Sequence, residues 1–312
     1  MRTLKVLFAL AALVTLSGQA ERWPPELILG EWVRQTQPPW GPNGAEGEFF
    51  REQPWVLPTL SFPNLGHAYL FRPPGDGPFR LAVIAHASTE NKLRRAQMPQ
   101  PEYRALSAFL VARGFAVLVP ERLGHGATGG PYLEGQGDCE SPDYDNSGRE
   151  IAMQIDLAKE ALRSRSFIRK DGVVVIGHSA GGWGALYLAG RKAEGVSTVV
   201  VFAPGRGGHA DDVPGKICAH EKLIETAKEF GERARIPVTW LVAENDTYFP
   251  PDLSRRLVDA FRAGGGKAAF SVLPASGSEG HWLAESESGV RLAVAELDRA
   301  LKSQAPATAK RR

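Results

Sequence analysis

One stretch restricts the fold more than any other: Val173-Val-Val-Ile-Gly-His-Ser179-Ala-Gly-Gly182. Four apolar, β-branched residues lead into Gly-His-Ser-Ala-Gly, and Trp183-Gly-Ala-Leu-Tyr-Leu-Ala189 continues with helix-compatible spacing. A strand that reverses into a helix within about two residues forces the residue at the turn into a strained backbone conformation. Side chains two residues to either side of that turn would collide where strand and helix cross. Positions 177 and 181 therefore call for glycine, and both are glycine. The Ser179 hydroxyl is then held above the strand end, beside the free N–H groups of a helix N-terminus. The chain has 34 glycines, enough for the five-residue pattern to arise by chance. The strand before it and the helix after it give the pattern its weight.

The flanking sequence repeats the rhythm of buried strand, loop and amphipathic helix. Strands are expected at Ala68–Arg72, Phe79–Ala85, Phe115–Val119, Ser197–Phe202, Pro237–Val242 and Ala268–Leu273. Helices are expected at Pro101–Arg113, Ser147–Ser166, His220–Gly231, 252–263 and 285–302, with apolar residues spaced three and four apart. Strands alternating with helices of this length predict an α/β fold with a mostly parallel sheet covered on both faces. No internal repeat or linker divides the chain, so one domain over 21–302 is expected, with 204–235 as a small insertion and 303–312 as a disordered tail. Residues 21 to about 60, rich in Pro and Trp, read as an irregular segment with one or two strands on the domain surface.

The first twenty residues read as a secretory signal. Arg2 and Lys5 precede an apolar run from Val6 to Leu16, too short to span a bilayer, and Ser17-Gly-Gln-Ala20 offers small residues for cleavage. A periplasmic or secreted protein is expected, with no membrane attachment after signal removal. Arg2 and Lys5 also account for the formal charge of +2, so the remainder is neutral and offers no electrostatic argument for nucleic acid. An exported chain with two cysteines is expected to pair Cys139 with Cys218.

In a parallel sheet of this kind, ligands sit outside the carboxyl ends of the strands. Ser179 needs a base there, and the base needs a carboxylate to orient it. Of seven histidines, His281 lies in the loop Ser276-Gly-Ser-Glu-Gly-His-Trp282, after the last strand and before the last helix. His178 is fixed beside Ser179 in the chain, so its ring cannot readily face the hydroxyl, and His86 is expected to hold its loop by a structural hydrogen bond. For the carboxylate, Ala243-Glu-Asn-Asp-Thr247 follows the penultimate strand. Asp246 is preferred and Glu244 is the alternative, while Asp138, Asp143 and Asp211 read as solvated loop acids. No phosphate loop, His-Glu-x-x-His or Cys-x-x-Cys pattern appears, so neither a cofactor nor a metal is expected.

The order Ser179, Asp246, His281, each after a strand, resembles the α/β-hydrolase superfamily over about residues 65 to 302. Within it the chain is most similar to dienelactone-hydrolase-like and related serine esterases. Pro120-Glu-Arg-Leu-Gly-His-Gly-Ala-Thr-Gly129 resembles the Asp-x-Arg-Gly-x-Gly-x-Ser segment of that group, with Glu121 and Leu123 departing from it. Dienelactone hydrolase itself carries a cysteine nucleophile, and Ser179 stands at that position here. The resemblance implies a small-molecule ester substrate and an oxyanion hole formed by the backbone N–H of Ala180 and a second donor from His86-Ala-Ser-Thr89. Ala87 is the expected second donor and Ser88 the alternative. The substrate pocket is expected to involve the 127–145 loop, the 204–235 insertion and Trp183 or Trp282. Two rival readings share much of this pattern: a peptidase or amidase of the prolyl-oligopeptidase type, and a non-catalytic binding protein on the same fold.

Overall fold

The computed structural model describes residues 40–191 and 193–302; the expected leader and C-terminal tail lie outside them. Among the described residues nine strands form one sheet. They are β1 (Gly41–Pro42), β2 (Gln53–Leu57), β3 (Gly66–Phe71), β4 (Arg80–Ala85), β5 (Phe115–Pro120), β6 (Val173–His178), β7 (Val196–Phe202), β8 (Val238–Ala243) and β9 (Ala268–Leu273). Their spatial order is β1-β2-β3-β5-β4-β6-β7-β8-β9. The pairs β1–β2, β2–β3 and β3–β5 are antiparallel, and every pair from β5 onward is parallel.

The helices are α1 (Lys92–Ala96), α2 (Arg104–Val111), α3 (Tyr144–Arg163), α4 (Ala180–Gly190), α5 (His220–Arg233), α6 (Pro251–Ala263) and α7 (Glu287–Lys302). Two short 3-10 turns occupy Ala210–Asp212 and Gly280–Ala284. The α3 helix begins three residues before its apolar periodicity suggests. Asp143 is its N-cap, and the side chain accepts the Asn146 N–H at 2.9 Å. A capping carboxylate satisfies an N–H that the first turn leaves unpaired. Asp143 is thus a structural cap rather than a free loop acid.

Alternation along each strand divides the core in two. Leu81, Val83 and Ala85 of β4 face a cluster with Ile151 and Ile155 of α3, Leu223 and Phe230 of α5, and Leu257 and Phe261 of α6. Ala82 and Ile84 face the opposite cluster, with Leu106 and Leu110 of α2 and Val290 and Leu297 of α7. Two readings from sequence change here. The second half of the 204–235 segment is α5, which buries Leu223, Ala227 and Phe230 in the core. In the described part of the Pro- and Trp-rich stretch, residues 40–60, β1 and β2 extend the sheet and Trp55 is buried.

Register sets up the site. Ala85 of β4 pairs with Gly177 of β6, His178 with Phe202 of β7, Phe202 with Leu241 of β8, and Ala243 with Leu273 of β9. The carboxyl ends of five parallel strands therefore finish close to one level, and the loops that leave them converge.

Candidate active site

Ser179 is the N-cap of α4, with φ 54° and ψ −119°. This backbone is one that a non-glycine residue rarely adopts and that persists only where surroundings hold it. Three hydrogen bonds do so: Ser179 N–H to Phe202 O at 2.9 Å, Trp183 N–H to Ser179 O at 2.9 Å, and Gly205 N–H to Ser179 O at 3.3 Å. The glycines are required sterically. A Cβ at Gly177 would lie 2.4 Å from Gly181 O, and one at Gly181 would lie 2.1 Å from Ala85 O.

His281 and Asp246 come together from their separate loops. His281 Nδ1 lies 3.2 Å from Asp246 Oδ2, and both side chains are buried. The other Asp246 oxygen, Oδ1, accepts N–H bonds from Tyr248 at 2.8 Å and Phe249 at 2.9 Å, which fixes the carboxylate. With Asp246 as acceptor, Nδ1 carries the imidazole proton and Nε2 carries the lone pair. Burial lowers the His281 pKa below its usual value, and the Asp246 hydrogen bond opposes that shift without cancelling it. Glu244, the alternative carboxylate, is exposed.

Four histidines are buried: His86, His125, His178 and His281. His86 has Nδ1 2.6 Å from Ala87 O, and its Nε2 accepts the Arg122 N–H at 3.0 Å. His125 has Nδ1 3.0 Å from Leu123 O and Nε2 2.7 Å from Ser88 Oγ. His178 has Nε2 2.7 Å from His281 O and Nδ1 2.9 Å from Tyr103 Oη. Only His281, among these described residues, keeps a ring nitrogen, Nε2, with no protein partner. The Ser179 hydroxyl likewise makes no hydrogen bond among the described residues. The structural role expected for His86 is the one it has.

Several residues that hold this arrangement carry no sequence signal of their own. Glu279 Oε1 accepts the N–H groups of both Thr247 and His281 at 3.0 Å, and Oε2 accepts the Thr247 hydroxyl. One carboxylate thus fastens the loop of Asp246 to the loop of His281. Tyr248 stacks on His281 with ring centroids 4.2 Å apart, and its ring also stacks on His209 at 3.4 Å. His209 in turn lies 2.8 Å from the Thr247 hydroxyl. The Ser-Glu-Gly-His spacing could have pointed to Glu279 as a local cap. Nothing local points to the Tyr248 stack.

The loop after β4 departs from the expectation that Ala87 is a free donor. The N–H of Ala87, the expected second donor, donates to Tyr103 Oη at 3.1 Å and is already committed. Ser88, the alternative, has an N–H with no partner among the described residues, and the Ala180 N–H at the start of α4 is also unused by the protein. Ser88 is fixed through its hydroxyl, which lies 2.7 Å from His125 Nε2.

Behind that loop sits a second buried polar cluster. Arg122 donates two bonds to Glu134, at 2.7 and 3.1 Å, and one to His86 O at 2.7 Å. Burial pushes His125 from 6.5 to about 4, although the nearby Glu134 carboxylate pulls the other way. Burial would raise Glu134, but Arg122 and then His125 outweigh it and hold it down at about 2. Among the described residues no group of three or more His, Cys, Asp or Glu side chains could hold a metal ion.

Cys139 and Cys218 form a disulfide, with Cα atoms 4.7 Å apart, that ties the 127–143 loop to the loop following β7. Trp183 is not a pocket residue: it is buried and its indole N–H donates to Tyr144 O at 2.8 Å. Trp282, beside His281, is 41% exposed.

Residues 83–310 match the sequence model of the alpha/beta hydrolase family. The chain belongs to that family. No curated protein matches it in sequence. Among solved α/β-hydrolase structures, it is similar to an esterase of Pyrococcus furiosus, at TM-score 0.53 and 15% identity, covering 85% of this chain and 99% of the esterase. It is similar also to a Klebsiella pneumoniae protein assigned as a dienelactone hydrolase, at TM-score 0.52 and 15% identity, covering 80% and 98%. A third similarity is to a Bacteroides ovatus protein assigned as a dipeptidyl aminopeptidase IV, at TM-score 0.57 and 13% identity, covering 81% of this chain but 36% of that one. The chain thus spans about a third of that longer relative. At these identities the likeness is one of fold.

Proposed function

We propose that this α/β-hydrolase is an exported serine hydrolase that cleaves carboxylic esters through an acyl-enzyme intermediate. One observation carries the reading. Of four buried imidazoles, only that of His281 presents an unpartnered nitrogen, while its other nitrogen faces a fixed carboxylate. That nitrogen is not sealed from the surface as a fully enclosed atom would be, so its lone pair is open to accept the Ser179 proton.

In this mechanism the Ser179 oxygen attacks the acyl carbon as His281 Nε2 takes the hydroxyl proton. Asp246 holds Nδ1–H and stabilises the imidazolium. The carbonyl oxygen becomes an oxyanion received by the N–H of Ala180 and the N–H of Ser88, with the α4 dipole behind them. Collapse expels the alcohol, which takes its proton from His281. Water then attacks the acyl-enzyme with His281 again as base, and the acid leaves. A separation of Ser179 and His281 greater than a hydrogen bond in the free protein is ordinary, since such contacts tighten when substrate binds.

The peptidase reading shares every step, and the likeness to an assigned aminopeptidase favours it. The ester reading is favoured by fold relatives of this chain's own length that are named for ester chemistry. Export is supported by the signal-like first twenty residues and by the disulfide. The test is hydrolysis of short-chain p-nitrophenyl esters beside aminoacyl p-nitroanilides. Ester turnover that disappears in Ser179→Ala, with the melting temperature unchanged, is expected. Full turnover in that variant would remove the reading, and preference for the anilides would replace it by the peptidase one.

A further inference from the structure

We propose that His178, the residue before Ser179, is a positioning residue that with Tyr103 and Glu285 fixes the His281 loop and the oxyanion loop at a set distance from each other. The inference rests on the reading of His281 as the base. His178 is buried, and it does not approach the hydroxyl of its neighbour. Its ring instead points into the space between two loops. Nε2 lies 2.7 Å from the carbonyl oxygen of His281 itself. A carbonyl only accepts, so Nε2 carries a proton and donates it there. Nδ1 lies 2.9 Å from Tyr103 Oη and 3.1 Å from Glu285 Oε1.

Tyr103 carries the link onward. Its phenolic oxygen accepts the Ala87 N–H at 3.1 Å, its hydroxyl donates to Glu285 Oε1 at 3.2 Å, and His178 Nδ1 lies 2.9 Å from that phenolic oxygen. Tyr103 also holds a left-handed backbone, φ 47° and ψ 46°, at the N-cap of α2. A tyrosine adopts that conformation rarely and keeps it only where several contacts enforce it. The chain of bonds therefore runs from Ala87 N–H through Tyr103 and His178 to His281 O. It joins the loops after β4 and β9 through the residue adjoining the nucleophile. Both endpoints are backbone atoms, so what the link controls is where each loop sits. A side chain that merely filled this space would need neither nitrogen.

The experiment is steady-state hydrolysis of p-nitrophenyl acetate by His178→Leu, His178→Gln and Tyr103→Phe, with Ser179→Ala as control and melting temperatures for all. Leucine fills the space without either bond, whereas glutamine retains an N–H that can reach the His281 carbonyl. His178→Leu should lose about tenfold or more in kcat with KM within about twofold, since a small displacement of reacting groups is felt in the chemical step. His178→Gln should recover most of that loss, and Tyr103→Phe should lower kcat severalfold. Wild-type kcat in His178→Leu, or equal losses in the leucine and glutamine variants, would overturn the proposal. If His178→Leu does not fold, Tyr103→Phe decides: a lowered kcat supports the link and an unchanged one overturns it. Retained turnover in Ser179→Ala would instead overturn the reading of the site, and this inference with it.

Discussion

Two buried polar clusters lie side by side at the carboxyl ends of the same strands, and they differ in one respect. In the cluster of His86, Arg122, His125 and Glu134, both nitrogens of each imidazole are engaged and the guanidinium meets its carboxylate twice. In the cluster of Ser179, Asp246 and His281, one hydroxyl and one imidazole nitrogen are left over. Both clusters are buried, and burial lowers both His125 and His281. Burial and a shifted imidazole therefore do not separate chemistry from scaffolding here. What sets the two clusters apart is the unused hydroxyl of Ser179 and the unused nitrogen of His281.

The two clusters differ most at His281. His281→Gln should reduce kcat/KM for an ester by about 10^4 to 10^6, as losses of a triad base do, while the urea midpoint changes little. A fall of less than tenfold would mean that the leftover nitrogen is not used. In the other cluster the order reverses. Glu134→Gln leaves Arg122 buried without a counter-charge and should remove about 3–5 kcal/mol of unfolding free energy, with a much smaller loss of kcat than in His281→Gln. Urea titration measures it, and a loss under about 1 kcal/mol would show that the ion pair is not what holds the loop.

Acid sharpens the contrast without mutation. The folded His125 stays neutral down to about pH 4, whereas the unfolded chain takes up its proton near 6.5. The contribution of His125 is therefore complete above pH 6.5 and is lost as pH falls toward 4, by up to about 3 kcal/mol. Buried His86, also lowered by burial, adds in the same direction. Unfolding free energies taken between pH 7 and 4.5 should decline, and a flat profile would contradict the neutral, enclosed imidazoles. The smallest effect concerns the junction of the Asp246 and His281 loops. Thr247→Val removes the hydroxyl bonded to Glu279 and His209, and should cost about 1 kcal/mol in stability and less than about tenfold in kcat. A larger kinetic loss would move Thr247 from the frame into the chemistry.

Sequence made some of these residues visible and hid others for a physical reason. Ser179 announces itself because its constraint is local: strand, two glycines and helix are contiguous. Asp246 and His281 follow from a rule about where strands end. The buried strands are legible because a two-sided core demands unbroken apolar runs such as Leu81–Ala85. The partners of the site are not legible, because each depends on a distance between remote segments. By its position Ala87 is an available donor, yet Tyr103, sixteen residues away, occupies its N–H. Glu279, Tyr248 and Glu285 are ordinary loop and surface residues by type, and only the converging loops give them work. The α3 start at Tyr144 was missed for the opposite reason: Asp143 supplies a local cap that apolar periodicity does not register.

The disulfide has a topological consequence. Cys139 and Cys218 stand 79 residues apart and close the intervening chain into a covalent circle. β6, Ser179 and α4 lie on that circle, whereas Asp246 and His281 lie on the open strand beyond it. A protease that cuts once between the two cysteines leaves a single covalent molecule of nearly unaltered mass. The peptide that carries Ser179 parts from one half of the protein only when a reductant opens the bridge. Electrophoresis with and without thiol, after a fluorophosphonate label on Ser179, would thus tell on which side of the cut Ser179 lies.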